Sequence, residues 1–133
     1  MNKTFQLDII TPTSTFNEGQ VEYLRAPSID GLFGVQANHV SSIITIDVGE
    51  VKVVKNGGKE LYFSTAGGFA DIRPEGVVLL IENLENASDI DIKRAKDAES
   101  RARKNLKDTS MDLDRAKLAL KRAQNRVRIS TRI

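Results

Sequence analysis

The chain has 133 residues, 40% of them apolar and 29% charged, with a net charge of +2. That is the size and balance of a globular protein able to bury a core, and it excludes disorder and collagen-like repeats. The longest apolar run, Val77 to Ile81, falls far short of the roughly 20 residues needed to cross a bilayer, and Met1 leads into a strand-like pattern without a basic and then apolar leader, so neither a membrane span nor a cleaved export signal is expected. With no cysteine and one histidine, disulfides and thiolate metal sites are excluded, and a histidine-rich metal site or a Ser-His-Asp hydrolase lacks its parts.

The small net charge hides a division. Residues 1–86 carry 6 Lys/Arg against 11 Asp/Glu, whereas residues 87–133 carry 14 against 7. All 9 glycines, 3 prolines and 7 aromatics lie in the first part. Two structural chemistries meet near Ala87, which predicts one domain over 1–86 and a second over 87–133.

In the first part, Phe5, Leu7 and Ile9 alternate with Thr4, Gln6 and Asp8. This period of two places the apolar three on the core face of a strand. Further strands are predicted over Gly19 to Ala26, Ser42 to Asp47, Gly49 to Lys55, Glu60 to Ser64, Gly68 to Arg73 and Val77 to Ile81, runs rich in β-branched and aromatic residues. Asn56-Gly57-Gly58-Lys59 and Arg73-Pro74-Glu75-Gly76 have the chemistry of hairpin turns. Many short strands without intervening helices predict an antiparallel β-sandwich or barrel-like sheet.

The second part has helical periodicity. Ser88 with Asp91 three residues on has the form of a capping box, so a first helix is expected from about Asp89. Its seam is Ile92, Ala95, Ala98 or Glu99, Ala102 and Leu106. Lys107 to Ser110 has the character of a turn, with Thr109 or Ser110 capping a second helix whose seam is Leu113, Ala116, Leu120, Ala123 and Val127, widened by Leu118 and Ala119. A short loop makes the pair an antiparallel hairpin. Alanine buries little area, so the hairpin is expected to be weakly held and able to open.

Asp91, Arg94 and Arg101 share one side of the first helix, and Arg122 and Arg126 form a pair on the second. Converging guanidinium groups can bind one anion, phosphate above all. The plainer alternative is a solvated face whose arginines pair with Asp97, Glu99, Asp112 and Asp114. A basic segment also raises a nucleic-acid or acidic-protein binding module. Against nucleic acid stand the lack of aromatics for stacking and the interleaved acids in this half. No Gly-rich phosphate loop of the usual spacing occurs. His39 has the setting of a loop or surface histidine, and Gly67-Gly68 that of a bulge or close backbone contact. No nucleophile and base constellation is visible, so no catalytic site is expected.

Five stretches in order, Leu7 to Pro12 (LDIITP), Gly31 to His39 (GLFGVQANH), Ser64 to Pro74 (STAGGFADIRP), Ser88 to Ala95 (SDIDIKRA) and Leu118 to Val127 (LALKRAQNRV), resemble the epsilon subunit of bacterial F-type ATP synthases. The resemblance implies an N-terminal sandwich that binds the gamma subunit and the c-ring, and a non-catalytic rotor subunit coupling ion flow to ATP synthesis. It also implies a C-terminal hairpin that permits hydrolysis when folded and inhibits it when extended toward the catalytic beta and alpha subunits. Association with the cytoplasmic face of the bacterial cell membrane would then come only through the complex, with no nucleic acid involved.

Some members bind ATP through an I/L-D-x-x-R-A motif, matched here by Ile90, Asp91, Arg94 and Ala95. The resemblance extends that set to Glu85, Arg101, Arg122 and Arg126, making ATP a regulatory ligand and no cofactor or metal a requirement. The c-ring and gamma contact loop would include Asp30, Leu32 and His39. Where the family usually reads P-G-H-A-P or P-N-H-A-P, this chain has Ala37-Asn38-His39-Val40-Ser41, which predicts a looser loop. Some members are acidic where Leu32 stands, and Asp30 is the electrostatic substitute.

Overall fold

The computed structural model describes residues 4–107 and 112–131. Nine strands come first: β1 (Phe5–Ile10), β2 (Thr15–Ser28), β3 (Gly31–Val35), β4 (Ser42–Ile46), β5 (Gly49–Lys55), β6 (Glu60–Thr65), β7 (Gly68–Arg73), β8 (Gly76–Ile81) and β9 (Leu84–Asn86). A 3-10 turn over Ala87–Asp89 follows, then α1 (Ile92–Lys107) and α2 (Leu113–Ser130). Among the described residues, no helix is long and apolar enough to cross a membrane.

The strands form a continuous path β1-β8-β7-β4-β2-β5-β6-β9, with β3 on β2 and β1 also on β2. β2 makes this possible by its length: its first half pairs with β1, and beyond Val21 it pairs with β5 and β3. One strand thus serves both layers of a sandwich. A register break between Leu7 and Asp8, opposite Gly19 at φ +72°, bends it between them. The expected sandwich is therefore present, with β2 starting earlier than its Gly19 to Ala26 core and with β3 and β9 in addition.

One pairing departs from the antiparallel pattern. β1 lies parallel to β8, Gln6 beside Gly76 and Ile10 beside Leu80. Because strands far apart in sequence meet there, no crossover helix is needed to join them.

The core is set by the predicted alternation. Phe5, Leu7 and Ile9 are buried, facing Val21, Leu24, Val51, Val53, Val77 and Leu79. Gly68 shows why a glycine pair interrupts this sheet: with φ +152°, a Cβ there would collide with the Leu80 carbonyl oxygen. Close backbone approach, the sequence reading for Gly67-Gly68, is what the structure has at that point.

The helices differ from expectation at their starts. The Ser88 capping box does not form; Asn86 Oδ1 accepts from Ser88 N over the 3-10 turn, and Asp91 Oδ1 accepts from Arg94 N at 3.1 Å, so Asp91 is the cap and α1 begins at Ile92. Asp112 caps α2, accepting from the backbone N–H groups of Asp114 and Arg115. The predicted caps Thr109 and Ser110, and the turn residues 108–110, lie outside the described residues.

Candidate functional site

The site is the junction where the hairpin lies on the sheet, and α2 makes it. Where α1 and α2 pack on each other the buried residues are small, Ala95 and Ala102 on α1 and Ala116 and Ala123 on α2, side chains that let two helix backbones approach closely. The opposite side of α2 was not expected to be packed at all. There Lys121, Asn125 and Ile129 follow one another at intervals of four, a single row along the helix, and each finds a partner on the sheet or beside it.

Lys121 Nζ donates to Asp47 Oδ2 at 2.9 Å. Asn125 Nδ2 donates to the Gly49 carbonyl at 2.9 Å and to Ser64 Oγ at 3.1 Å. Ile129 is completely buried, in a cluster with Ala87, Ile90 and Ala95 flanked by Tyr62 and Val127. α2 is thus packed on two sides, and the predicted stripe describes only one. Leu113, Leu118 and Ala119, assigned to that stripe, are exposed, as is Ile92 on α1. Their side chains face away from both layers.

Seven of the eight predicted anion-binding residues fall into three groups, and Arg122 stands apart. Glu85 on β9 and Arg126 on α2 are joined directly, Nε to Oε1 at 2.7 Å and Nη2 to Oε2 at 3.0 Å. This fork-to-carboxylate pair, half-buried on both sides, raises the Arg126 guanidinium above its already high ordinary pKa, first through the Glu85 hydrogen bond and further through the charges of Glu85 and Asp91. Arg94 and Arg101 form the second group: with Asp97, Ser100 and Lys104 they line an open groove of about 550 Å³ along α1. Arg122, exposed on α2, does not line that groove.

The third group, Ile90, Asp91 and Ala95, performs local structural work. Ile90 is an apolar anchor against Ile129, Asp91 caps α1, and fully buried Ala95 permits the close approach of the chain around it. The motif spacing is accounted for by the geometry of a helix start packed on its neighbour. One carboxylate oxygen of Asp91 is engaged in the cap, and Glu85 is engaged by Arg126. Of the predicted anion-binding arginines, Arg94, Arg101 and Arg122 have no side-chain hydrogen bond or ion pair among the described residues.

The loop residues are not gathered in one place: Leu32 lines a groove with Pro27, Gly49 and Arg128 beside the junction, whereas His39 lies against the end of β7. Asp30 is exposed, with its N–H donating to Ser28 Oγ, and Leu32 is 68% exposed. Elsewhere on the sandwich Ile29, Val40 and Ile43 are likewise 71%, 83% and 75% exposed. His39 is better held than the missing prolines predict: Nδ1 lies 2.6 Å from the Gln36 carbonyl oxygen and Nε2 against that of Arg73, while the ring meets Phe5 edge-on. The histidine ties the loop to the β7–β8 turn.

Sequence reading missed Asn125, Lys121, Asp47 and Ile129. The signal available was the 121, 125, 129 spacing, but Lys and Asn in that row give no apolar periodicity. Only their partners reveal a packed face.

Comparison with known proteins extends the picture to both parts of the chain. The family described as ATP synthase, Delta/Epsilon chain, beta-sandwich domain matches residues 4–87, and the companion long alpha-helix domain matches residues 88–131. An ATP synthase epsilon chain of Staphylococcus haemolyticus is 39% identical over 129 residues, covering 96% of both chains. One from Bacillus cytotoxicus is 37% identical over 130 residues, covering 96% of this chain and 97% of its own. In fold, a chain in the mitochondrial ATP synthase OSCP/F1/c-ring assembly of Euglena gracilis superposes with a TM-score of 0.84 at 19% identity, over 94% of this chain and 80% of that one.

Proposed function

Because the chain belongs to the ATP synthase delta/epsilon family, we propose that it is a central-stalk subunit whose sandwich docks on the gamma subunit and the c-ring and whose hairpin regulates ATP hydrolysis. The observation that carries the regulatory part is the construction of the hairpin. It is attached through the polar contacts of Lys121, Asn125 and Arg126 and one buried isoleucine, and the buried residues that face each other along its helices are mainly alanines. Such a seam contributes little burial energy at about 25 cal/mol per Å², so a contest with another partner can separate it from the sandwich.

In this reading the folded hairpin leaves hydrolysis active. The extended hairpin presents its arginines and lysines to acidic surfaces of the catalytic beta and alpha subunits and inhibits. The subunit contributes no catalytic group; it couples rotation driven by ion flow to synthesis and sits at the cytoplasmic face of the cell membrane through the complex. The exposed Ile29, Leu32, Val40 and Ile43 support sandwich surface that is covered in the assembly.

ATP is the ligand that favours the folded state. Arg94, Arg101 and Arg122 supply phosphate-binding groups, and Glu85 and Arg126 already bridge sandwich and hairpin where a nucleotide would reinforce them. Calorimetric titration of the isolated chain with ATP and then ADP tests this. One saturable site preferring ATP, weakened at least tenfold by Arg94→Ala and by Arg101→Ala, is expected from loss of a charge-assisted phosphate contact. Absence of heat and of thermal stabilisation at millimolar ATP would remove nucleotide sensing and leave the docking role to capture experiments with the gamma subunit.

A further inference from the structure

The folded position of the hairpin needs one register and no other. Asn125 is 5% exposed, yet its side chain has three hydrogen bonds: Nδ2 donates to the Gly49 carbonyl and to Ser64 Oγ, and Oδ1 accepts from Arg128 Nη2 at 2.8 Å. Gly49 opens β5, and Ser64 lies on β6 opposite Glu50. The amide therefore spans two neighbouring strands across the face that α2 covers.

Sliding α2 by one turn, about 5.4 Å, would bring Lys121 or Ile129 to this point. An isoleucine offers no donor to the Gly49 carbonyl, and a lysine would bury an ammonium ion there. Rotation by one residue presents Gln124 or Arg126, and the latter would have to leave Glu85. Only Asn125 satisfies the position while Lys121 reaches Asp47 and Ile129 fills the apolar cluster.

We infer that Asn125 is the registration key of the folded hairpin, the residue that makes closure on the sandwich specific in position and therefore complete or absent. Apolar packing between alanines tolerates sliding, whereas a one-turn slide removes the amide from its two acceptors, and the rotation that would present the Gln124 amide instead takes Lys121 from Asp47 and Ile129 from its cluster. The two ion pairs beside it, Lys121 with Asp47 and Arg126 with Glu85, sit partly in water and tolerate small shifts through long side chains. Asn125 acts as a positioning residue; it touches no reacting group.

This inference rests on the reading of the hairpin as a switch, but its test does not need the synthase. Cysteines introduced at exposed Lys59 and Lys117, in a chain with none of its own, allow spin-label distances between sandwich and α2 to be measured in the full-length protein. Asn125→Leu keeps similar volume and removes the amide. The expected result is a rise of roughly tenfold in the open or displaced population with the thermal unfolding of the sandwich unchanged. Ser64→Ala, which leaves the amide and one acceptor, is expected to give a smaller rise of about two- to fivefold.

An Asn125→Leu variant as closed as the parent, or more so, would overturn the inference and assign closure to apolar packing. An unchanged Ser64→Ala distribution would overturn it independently if the first variant fails to fold. If the hairpin opens as expected but the assembled synthase hydrolyses ATP at an unaltered rate, the registration role stands and the regulatory reading fails.

Discussion

Asp47 and Lys121 meet at 2.9 Å on the rim of the junction, and the hydrogen bond from Lys121, against a smaller opposing effect of burial, holds the Asp47 carboxyl below its ordinary 3.8. A carboxylate with a depressed value in the closed form favours closure at any pH above its ordinary value and ceases to as pH falls through the depressed one. Because both side chains are substantially exposed, the contribution is less than about 1 kcal/mol. The label distance between sandwich and α2 is therefore expected to be constant from about pH 8 to pH 5 and to shift toward open below about pH 4. Asp47→Asn should remove this residue's share of the acid shift. A variant with an unchanged acid profile would contradict the assignment.

At the scale of elements, the hairpin is a layer held to the sandwich by its inner helix. α1 buries only Ala95 and Ala102, so it depends on α2 for its place, and the Ala95 position leaves no room for growth. Ala95→Leu inserts three heavy atoms where nothing is accessible and is expected to destabilise the folded hairpin by roughly 1–3 kcal/mol, visible as faster amide exchange in α1. The sandwich amides should be unaffected. Equal loosening of both parts would show that the two fold as one unit.

The same elements show how far sequence reaches. Strand faces follow directly from alternation, as at Phe5, Leu7 and Ile9, because a period of two has one physical meaning. β3 and β9 escape it, since Gly31–Val35 and Leu84–Asn86 are short and half-exposed and their pairing is decided by strands far away. The alanine seam between the helices is legible for the same reason as the strands. The sheet-facing row of α2 is not, because a lysine, an asparagine and an isoleucine become a docking face only when Asp47, Gly49 and Ser64 are opposite them. Of the candidate ligand residues, spacing correctly gathers Arg94 and Arg101 on one face of α1, but it cannot show that Glu85, forty-one residues away, is already paired with Arg126. His39 is a similar case: its neighbours in sequence suggest a loose loop, and its restraint comes from Arg73 and Phe5.

At the scale of the whole molecule, an acidic sandwich and a basic hairpin are joined by the contacts of Lys121, Asn125 and Arg126 and by the apolar cluster around Ile129, and under the proposed function these are what opening breaks. The charge division along the chain gives such opening a direction: a hairpin released from the sandwich is a cationic pair of helices. The most direct measurement is ATP hydrolysis by the assembled synthase with Asp47→Cys and Lys121→Cys joined by a short bis-maleimide, compared with the same complex before crosslinking. Hydrolysis is expected to be faster when the hairpin is held closed and to return to the inhibited rate when the crosslink is omitted. Identical rates in the two states, with crosslinking verified, would contradict it.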